Sequence, residues 1–195
     1  AAANGVRQVS LELGGKNAGI VFADCDMDKA IEGTLRSAFV NCGQVCLGTE
    51  RVYVQRPIFD EFVARLKAGA EQLVLGPPDD ATSNFGPLIS LKHREKVLSY
   101  YQKAVEDGAT VITGGGVPDM PAELAHGAWV QPTIWTGLKD DSAVVTEEIF
   151  GPCCHIRPFD SEEEAVALAN SLPYGLASAI WTENVTRAHR VAGQL

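Results

Sequence analysis

Apolar residues recur along this chain in two patterns, one of alternating positions and one of positions three to four apart. The alternating or continuously apolar runs are short and are bounded by glycine, proline, asparagine or aspartate, which is typical of β-strands. They predict strands over residues 8–13, 16–22, 51–54, 110–113, 129–135, 153–158 and 174–181.

Between these strands, apolar residues follow a helical spacing and are preceded by good capping residues. Asp26 is predicted to cap a helix that runs to about residue 40, and Pro57 stands in the first turn of another, to about residue 73. Ser90 precedes a helix that ends at residue 108, and Ser161 begins a capping box and a helix to about residue 170. A last helix is predicted from residue 186, and the end of the chain at residue 195 cuts it off.

Strands that alternate with helices predict an α/β fold with a mainly parallel sheet and flanking helices. No linker divides the chain, and 195 residues are enough for one sizeable core. The three glycines at 114–116 follow a predicted strand, as they do in a dinucleotide-binding loop. A proline-containing stretch follows them, however, where that loop needs a helix to receive the pyrophosphate, so we reject this interpretation.

The composition excludes several classes of partner. The chain carries 16 basic and 25 acidic residues, for a formal net charge of −9, which argues against nucleic acid and anionic membranes. No apolar run approaches the roughly 20 residues of a membrane span. The first residues do not resemble a signal peptide.

Five cysteines stand at irregular spacings, which favours a reducing cytoplasm over a disulfide framework. A zinc site is conceivable, because Cys42 and Cys46 could share one face of a helix and Cys153 adjoins Cys154. Neighbouring cysteines point apart in a strand, however, and the usual two-residue spacer is missing, so we expect no metal. We therefore interpret Cys42, Cys153 and Cys154 as core residues.

Cys46 stands where a predicted helix stops at a Gly-Gln pair, just before a strand. Backbone N–H groups at such a junction can stabilise a thiolate and hold an acyl oxyanion. Glu12, beside two glycines, and Glu148, before Phe150, are carboxylates that could assist the thiol, for example as a general base toward water. Taken singly, each has a plainer interpretation: a small buried thiol, a surface carboxylate and the anionic start of a turn.

Together, three stretches resemble the signatures of the aldehyde dehydrogenase superfamily, in the order found there. Residues 11–16 (LELGGK) match its glutamate signature, and residues 39–47 (FVNCGQVCL) match its cysteine signature. Residues 147–152 (EEIFGP) match a third motif of the family. The resemblance covers essentially all 195 residues.

This resemblance implies how the site residues act. Cys46 would attack an aldehyde to give a thiohemiacetal, which becomes a thioester after hydride transfer to a nicotinamide coenzyme. Glu12 would activate the water that hydrolyses the thioester. Glu148 would hold the nicotinamide ribose, Phe150 would lie against the nicotinamide ring, and Leu13 would also contact the coenzyme.

The family pattern extends beyond this chain on both sides. It implies that residues 1–13 are the tail of a missing cofactor-binding domain and that residues 14–195 are a catalytic domain truncated at both ends. We expect NAD as coenzyme, with NADP left open because the missing domain reads the ribose 2′ position. We expect this piece alone to be inactive and the full-length enzyme to be a homo-oligomer.

Alternatives remain within the family and outside it. Residues 41–51, 129–135 and 151–156 look like the semialdehyde dehydrogenases of bacterial meta-cleavage pathways, which implies a semialdehyde substrate without deciding which one. A thiol hydrolase or acyltransferase that pairs Cys46 with His155 is a competing class, and a binding module that keeps only the fold is another. A requirement for a nicotinamide coenzyme would separate the dehydrogenase from both.

Overall fold

A six-stranded sheet forms the centre of the molecule, with the strand order β3-β4-β5-β2-β1-β6. The computed structural model describes residues 2–195. Neighbouring strands run parallel except for β3 and β4, which are antiparallel, so the predicted mainly parallel sheet is confirmed. The strands are β1 (Asn17–Val21), β2 (Thr49–Gln55), β3 (Thr110–Thr113), β4 (Thr133–Thr136), β5 (Cys153–Phe159) and β6 (Ser178–Trp181).

In the part of the chain that the structure describes, six α-helices flank the sheet. The side chains of Asp26, Ser90 and Ser161 each accept a hydrogen bond from the backbone N–H three residues further on, so these predicted caps are confirmed. Within residues 2–195, no helix has both the length and the apolar composition of a membrane span. The helices are α1 (Met27–Phe39), α2 (Phe59–Ala70), α3 (Leu91–Glu106), α4 (Ala143–Thr146), α5 (Glu162–Ala169) and α6 (Val185–Ala192).

The two faces of the sheet are covered by different helices, because successive side chains of a strand point to opposite faces. In β2, Val52 and Val54 belong to the larger core, which α1 to α4 close. Tyr53, between them, belongs to a smaller core closed by α5 and α6. The central strands are therefore buried on both faces, as their continuous apolar runs predict.

Several predicted elements are longer than the observed ones. The strand predicted over 129–135 begins only at Thr133, since Pro132 has no N–H to give to a strand ladder. The helix predicted from Pro57 opens with a 3₁₀ turn, Arg56–Ile58, and ends at Ala70. The last helix was expected to run to the chain end, but α6 ends at Ala192, before Gly193.

The strand predicted over residues 8–13 is wrong. Residues 6–16 form no regular element, and the side chains of Val9, Leu11 and Leu13 are 57%, 68% and 58% exposed. A strand needs a neighbour that takes up its backbone hydrogen bonds, and no strand among residues 2–195 pairs with this segment. Apolar alternation alone therefore does not make a strand here.

Candidate active site

Cys46 follows a tight turn at the end of α1. Asn41, Cys42 and Gly43 have φ angles of 51°, 56° and 70°, which places three successive residues in the left-handed region. For the two residues with side chains, this conformation costs roughly 1–2 kcal/mol each. Because the turn interrupts the helix, Cys42 and Cys46 do not share one helical face, the arrangement that the rejected zinc interpretation would have needed.

Two contacts hold the turn in this strained conformation. The buried Cys42 Sγ donates a hydrogen bond to the carbonyl oxygen of Gly86 at 3.0 Å. Gly43 packs directly on Gly151, where a Cβ at position 43 would lie 2.1 Å from the carbonyl oxygen of Gly151. Glycine is therefore required at position 43. Its contact with Gly151 packs the cysteine stretch, residues 39–47, against the third motif, residues 147–152.

Asn17, the first residue of β1, fixes the segment that follows the turn. Its side-chain Nδ2 donates to the carbonyl oxygens of Cys46, at 2.7 Å, and Gly48, at 2.8 Å. Its Oδ1 accepts the N–H of Ala177 at 3.1 Å. Because Asn17 is buried, loss of these bonds would leave unsatisfied polar groups, and the amide therefore holds Cys46 in a defined position.

The opposite side of the site is formed by residues 148–150 and the glycines after Glu12. Glu148 Oε1 accepts the N–H of Gly15 at 2.8 Å. A Cβ on Gly14 would lie 2.7 Å from Glu148 Oε2, so any other residue at position 14 would displace this carboxylate. Gly14 and Gly15 thus position the carboxylate of Glu148.

An open cleft of about 480 Å³ lies between these segments. Within it, the side chain of Cys46 is half-buried and that of Glu12 is exposed. A thiol and two carboxylates that face one solvent-open space can support nucleophilic attack followed by base-assisted hydrolysis. The lining residues are Glu12, Leu13, Gly14, Gln44, Val45, Cys46, Glu148 and Phe150, which include all five residues singled out by the sequence analysis.

The centre of the sheet holds the other candidate thiols and the competing histidine. Cys153 and Cys154 are each 1% exposed, and burial raises the pKa of Cys154 to about 12. His155 Nε2 accepts the N–H of Leu138 at 3.2 Å, and burial lowers the pKa of this imidazole to about 4. Because His155 lies in β5 and not in the lining of the cleft, the geometry gives no support to a Cys46–His155 pair. The interpretation of Cys42, Cys153 and Cys154 as core residues is confirmed.

Comparisons with known proteins agree with the fold and with the resemblance to a family. The model of the aldehyde dehydrogenase family matches residues 1–195. This chain belongs to the aldehyde dehydrogenase family. It is 87% identical, over all 195 residues, to 2-hydroxymuconic semialdehyde dehydrogenase of Pseudomonas putida, of which it covers 40%. It is 56% identical, over 192 residues, to 2-aminomuconic 6-semialdehyde dehydrogenase of a Pseudomonas species, covering 98% of this chain and 39% of that protein.

A solved structure of the family has the same fold. Betaine aldehyde dehydrogenase of Staphylococcus aureus, in complex with NAD+, superposes with a TM-score of 0.93 at 40% sequence identity. The match covers 100% of this chain and 38% of that one. The chain thus spans about 40% of the length of the curated relatives it matches.

Three residues that shape the site are not predicted from the sequence. One is Asn17, an amide at the start of a strand that is otherwise apolar. Glu50 is a buried carboxylate that accepts the N–H groups of neighbouring residues in the third motif, and His93 contacts the carbonyl oxygen of Phe150 at 2.6 Å. For Asn17 the sequence offers one signal, a polar residue inside the apolar strand predicted over residues 16–22. Glu50 precedes the strand predicted over residues 51–54, so for Glu50, as for His93, the sequence offers no signal.

Proposed function

We propose that residues 14–195 are the catalytic domain of an aldehyde dehydrogenase that oxidises a semialdehyde to the carboxylate with NAD. The observation that carries the proposal is the cleft in which Cys46, Glu12 and Glu148 meet from separate segments. The name of the relative with 87% identity favours 2-hydroxymuconic semialdehyde as substrate. The resemblance of residues 41–51, 129–135 and 151–156 supports a meta-cleavage pathway as the setting. The relative with 56% identity makes 2-aminomuconic semialdehyde the second candidate.

The proposal extends to the setting of this domain. Residues 1–13 are proposed as the tail of a cofactor-binding domain, with Ala1 outside the residues that the structure describes. The exposed Val9, Leu11 and Leu13 support this, because apolar side chains in a row suit a surface that packs against further protein. The complete enzyme is proposed to be a cytoplasmic homo-oligomer. The free state of all five cysteines, which lie within residues 2–195, agrees with a reducing compartment.

In this proposal Cys46 is the nucleophile. Its thiolate adds to the aldehyde carbon, and the backbone N–H of Cys46 can donate to the oxyanion of the tetrahedral adduct. NAD, when bound, supplies the acceptor for the hydride whose loss converts the adduct into a thioester. Asn17 keeps the peptide of Cys46 in place during these changes through its bond to the Cys46 carbonyl oxygen.

Glu12 is proposed to complete the cycle by taking a proton from the water that attacks the thioester. Its exposed carboxylate lines the same cleft as the thiol, so water has access to both. The attack releases the carboxylic acid and returns Cys46 to the thiol or thiolate. General-base help of this kind is typically worth about 100–10,000-fold in rate.

The residues across the cleft fit a nicotinamide nucleoside. Glu148 presents a carboxylate whose Oε1 is bound to the Gly15 N–H while Oε2 lies beside Gly14, so it can accept hydrogen bonds from ribose hydroxyls. Phe150 is a half-buried aromatic ring in the cleft lining and can cover one face of a flat ring. Leu13, also in the lining, adds an apolar contact.

A graft provides the test of this proposal. Residues 1–195 replace the matching segment of the Pseudomonas putida relative, which supplies the remainder of a complete enzyme. The graft should oxidise 2-hydroxymuconic semialdehyde within about 10-fold of the parent rate, since a 10-fold change corresponds to only ~1.4 kcal/mol of barrier. Turnover should require NAD, and the acid should be the product.

The controls separate the alternatives. Omission of NAD should abolish aldehyde oxidation; a graft that hydrolyses thioesters or esters but oxidises no aldehyde with NAD would favour the thiol hydrolase instead. A higher kcat/KM for 2-aminomuconic semialdehyde would change the substrate assignment but not the reaction. A folded graft that oxidises no aldehyde would overturn the proposed function. The 195-residue chain alone is proposed to be inactive, which an assay of the isolated chain checks.

A further inference from the structure

Glu50 is a buried carboxylate that the mechanism proposed above does not use. It is 8% exposed, and it forms an ion pair with Lys16, which is 1% exposed. Two buried charges are tolerated when they are paired and their remaining hydrogen-bonding atoms have partners. Lys16 therefore supplies the counter-charge that permits an anion at this position.

The same carboxylate binds the backbone of the third motif. Glu50 Oε1 accepts the N–H of Phe150 at 2.9 Å, and both its oxygens lie 3.1–3.2 Å from the N–H of Ile149. Hydrogen bonds to a charged acceptor are about twice as strong as those between neutral groups. Glu50 thus anchors two successive peptide groups directly after Glu148.

Phe150 needs such an anchor because its backbone is in the left-handed region, with φ of 61°. A bulky residue in this region is an outlier that persists only where its surroundings determine it. Here Glu50 holds the N–H of Phe150, and His93 Nε2 lies 2.6 Å from its carbonyl oxygen. Both polar groups of the residue are thereby held by side chains from other elements.

The sequence position of Glu50 connects the three stretches that build the cleft. It stands four residues after Cys46 in β2, and its partner Lys16 stands four residues after Glu12. Its hydrogen-bond donors, Ile149 and Phe150, directly follow Glu148. The Glu50 carboxylate therefore connects the chain segments that carry Glu12, Cys46 and Glu148.

We propose that Glu50 is a positioning residue of this site, which fixes the left-handed Phe150 and Glu148 relative to the Cys46 segment. The proposal rests on the proposed function, because it concerns the coenzyme side of that cleft. Without the anchor, Phe150 relaxes out of its left-handed conformation and the coenzyme-facing groups lose their alignment, while Cys46 and Glu12 keep theirs. The alternative is that the Lys16–Glu50 pair only stabilises the core.

The test uses Glu50→Gln in the graft described above, with Glu147→Gln as matched control. Glu147 is the exposed carboxylate next to Glu148 and accepts a hydrogen bond from Tyr100 at 2.6 Å, so its loss removes the same charge without touching Ile149 or Phe150. Glutamine keeps the size of residue 50 but loses the charge that strengthens both hydrogen bonds.

Hydrogen exchange measures the anchor independently of activity. In Glu50→Gln, exchange at the amides of Ile149 and Phe150 should accelerate by roughly 10- to 100-fold, the factor expected for losing a hydrogen bond to a charged group. The control should change exchange there by less than about 3-fold, within the context dependence of a surface charge. Unchanged exchange in Glu50→Gln would overturn the proposal even in a graft that oxidises no aldehyde.

Kinetics separate positioning from stability. In Glu50→Gln the KM for NAD should rise by about 10-fold, corresponding to the weakening of one charged hydrogen bond, while the KM for the aldehyde stays within about 2-fold. A lower melting temperature with both constants at control values would reduce Glu50 to a core residue. If Glu50→Gln fails to fold, Glu50→Asp decides: it keeps the charge beside Lys16 but withdraws the oxygens by one methylene, and the same exchange and NAD changes are expected.

Discussion

The cleft around Cys46 and the sheet centre around Cys154 each hold a thiol beside another ionisable side chain, but in opposite environments. In the cleft the thiol is half-buried on a loop and faces carboxylates in open solvent. In β5, Cys154 and His155 are 1% and 3% exposed, and burial moves their pKa values to about 12 and about 4. Both groups of β5 are therefore neutral near pH 7 and contribute to packing.

The difference between the two regions originates in the backbone. β5 is a regular strand whose peptide groups are bound to β2 and β4, so its side chains must enter the two cores. The turn at Asn41–Gly43 leaves regular geometry for three residues, and this break carries Cys46 to the surface of the fold. Residue type alone therefore does not indicate a site. Solvent access of the side chain, and the strained backbone that provides this access, do indicate one.

The first prediction tests the two cysteines on either side of this break. In the graft, Cys46→Ala should lose aldehyde oxidation by about 1,000-fold or more, the order expected when a nucleophile is removed. Cys42→Ala should keep far more activity than Cys46→Ala, because the Cys42 thiol is buried and outside the cleft lining, so its removal can loosen the turn but takes away no reacting group. NAD binding by both variants serves as the folding control. The opposite pattern of activity would assign the nucleophile to Cys42.

The second prediction separates the two carboxylates of the cleft. Glu12→Gln should slow thioester hydrolysis by about 100–10,000-fold and leave the redox step nearly intact, so rapid mixing should show a burst of reduced coenzyme. Glu148→Gln should slow hydride transfer instead, because the carboxylate proposed to hold the coenzyme ribose loses its charge and one of its two accepting oxygens. It should show no burst and a primary isotope effect with deuterated aldehyde. A burst in Glu148→Gln and none in Glu12→Gln would exchange the two roles.

The third prediction concerns the closed region and acid. The pKa of His155 falls from 6.5 to about 4 on folding because burial disfavours the cation. Above the unfolded pKa neither state binds the proton. Below it the unfolded state binds a proton that the folded state does not bind, so the free energy of unfolding decreases as the pH is lowered. Between about pH 7.5 and about pH 5 this group alone should cost roughly 2 kcal/mol.

Urea unfolding of the graft at several pH values measures this loss. His155→Gln, whose side chain can still accept the Leu138 N–H, should lose less stability on acidification than the parent. Titrating carboxylates contribute equally to both proteins and cancel in the difference. Parallel pH profiles would show that His155 is protonated equally in the folded and unfolded states.

How far the sequence predicts the two regions follows from the range of the contacts that build them. The sheet and its helices follow from local periodicity, and so do the caps at Asp26, Ser90 and Ser161. The strand predicted over residues 8–13 fails because a strand depends on a partner that periodicity does not reveal. Resemblance to a family located the cleft residues through short motifs, which local patterns alone do not assign to chemistry.

The supporting contacts of the cleft could not be predicted, because they join positions far apart in the chain. Asn17 is 29 residues from Cys46, His93 is 57 residues from Phe150, and Glu50 is 100 residues from Phe150. The left-handed conformation of Phe150 is likewise invisible in sequence, since a bulky residue there is disfavoured locally and held only by these distant side chains.

The last and smallest effect concerns the closed region in alkali. Burial raises the pKa of Cys154 from 9.0 in the unfolded chain to about 12 in the fold. Below the unfolded value both states keep the proton. Above it the unfolded state releases the proton and the folded state does not, so stability falls as pH rises, by roughly 1 kcal/mol between about pH 9 and about pH 10.

Cys154→Ala tests this through the slope of stability against pH, not through its absolute value. The substitution leaves a small cavity and lowers stability at every pH, but this loss is independent of protons and does not affect the slope. Cys153 and Tyr101 are also buried with raised pKa values, and because they are present in both proteins their contributions cancel. We expect urea unfolding of the graft at about pH 8, about pH 9 and about pH 10 to show that the free energy of unfolding declines less steeply in the variant. The difference in slope corresponds to the titration of one thiol. Equal slopes would mean that Cys154 ionises as readily in the fold as in the unfolded chain, and the contrast between a closed sheet centre and an open cleft would then lose its chemical basis.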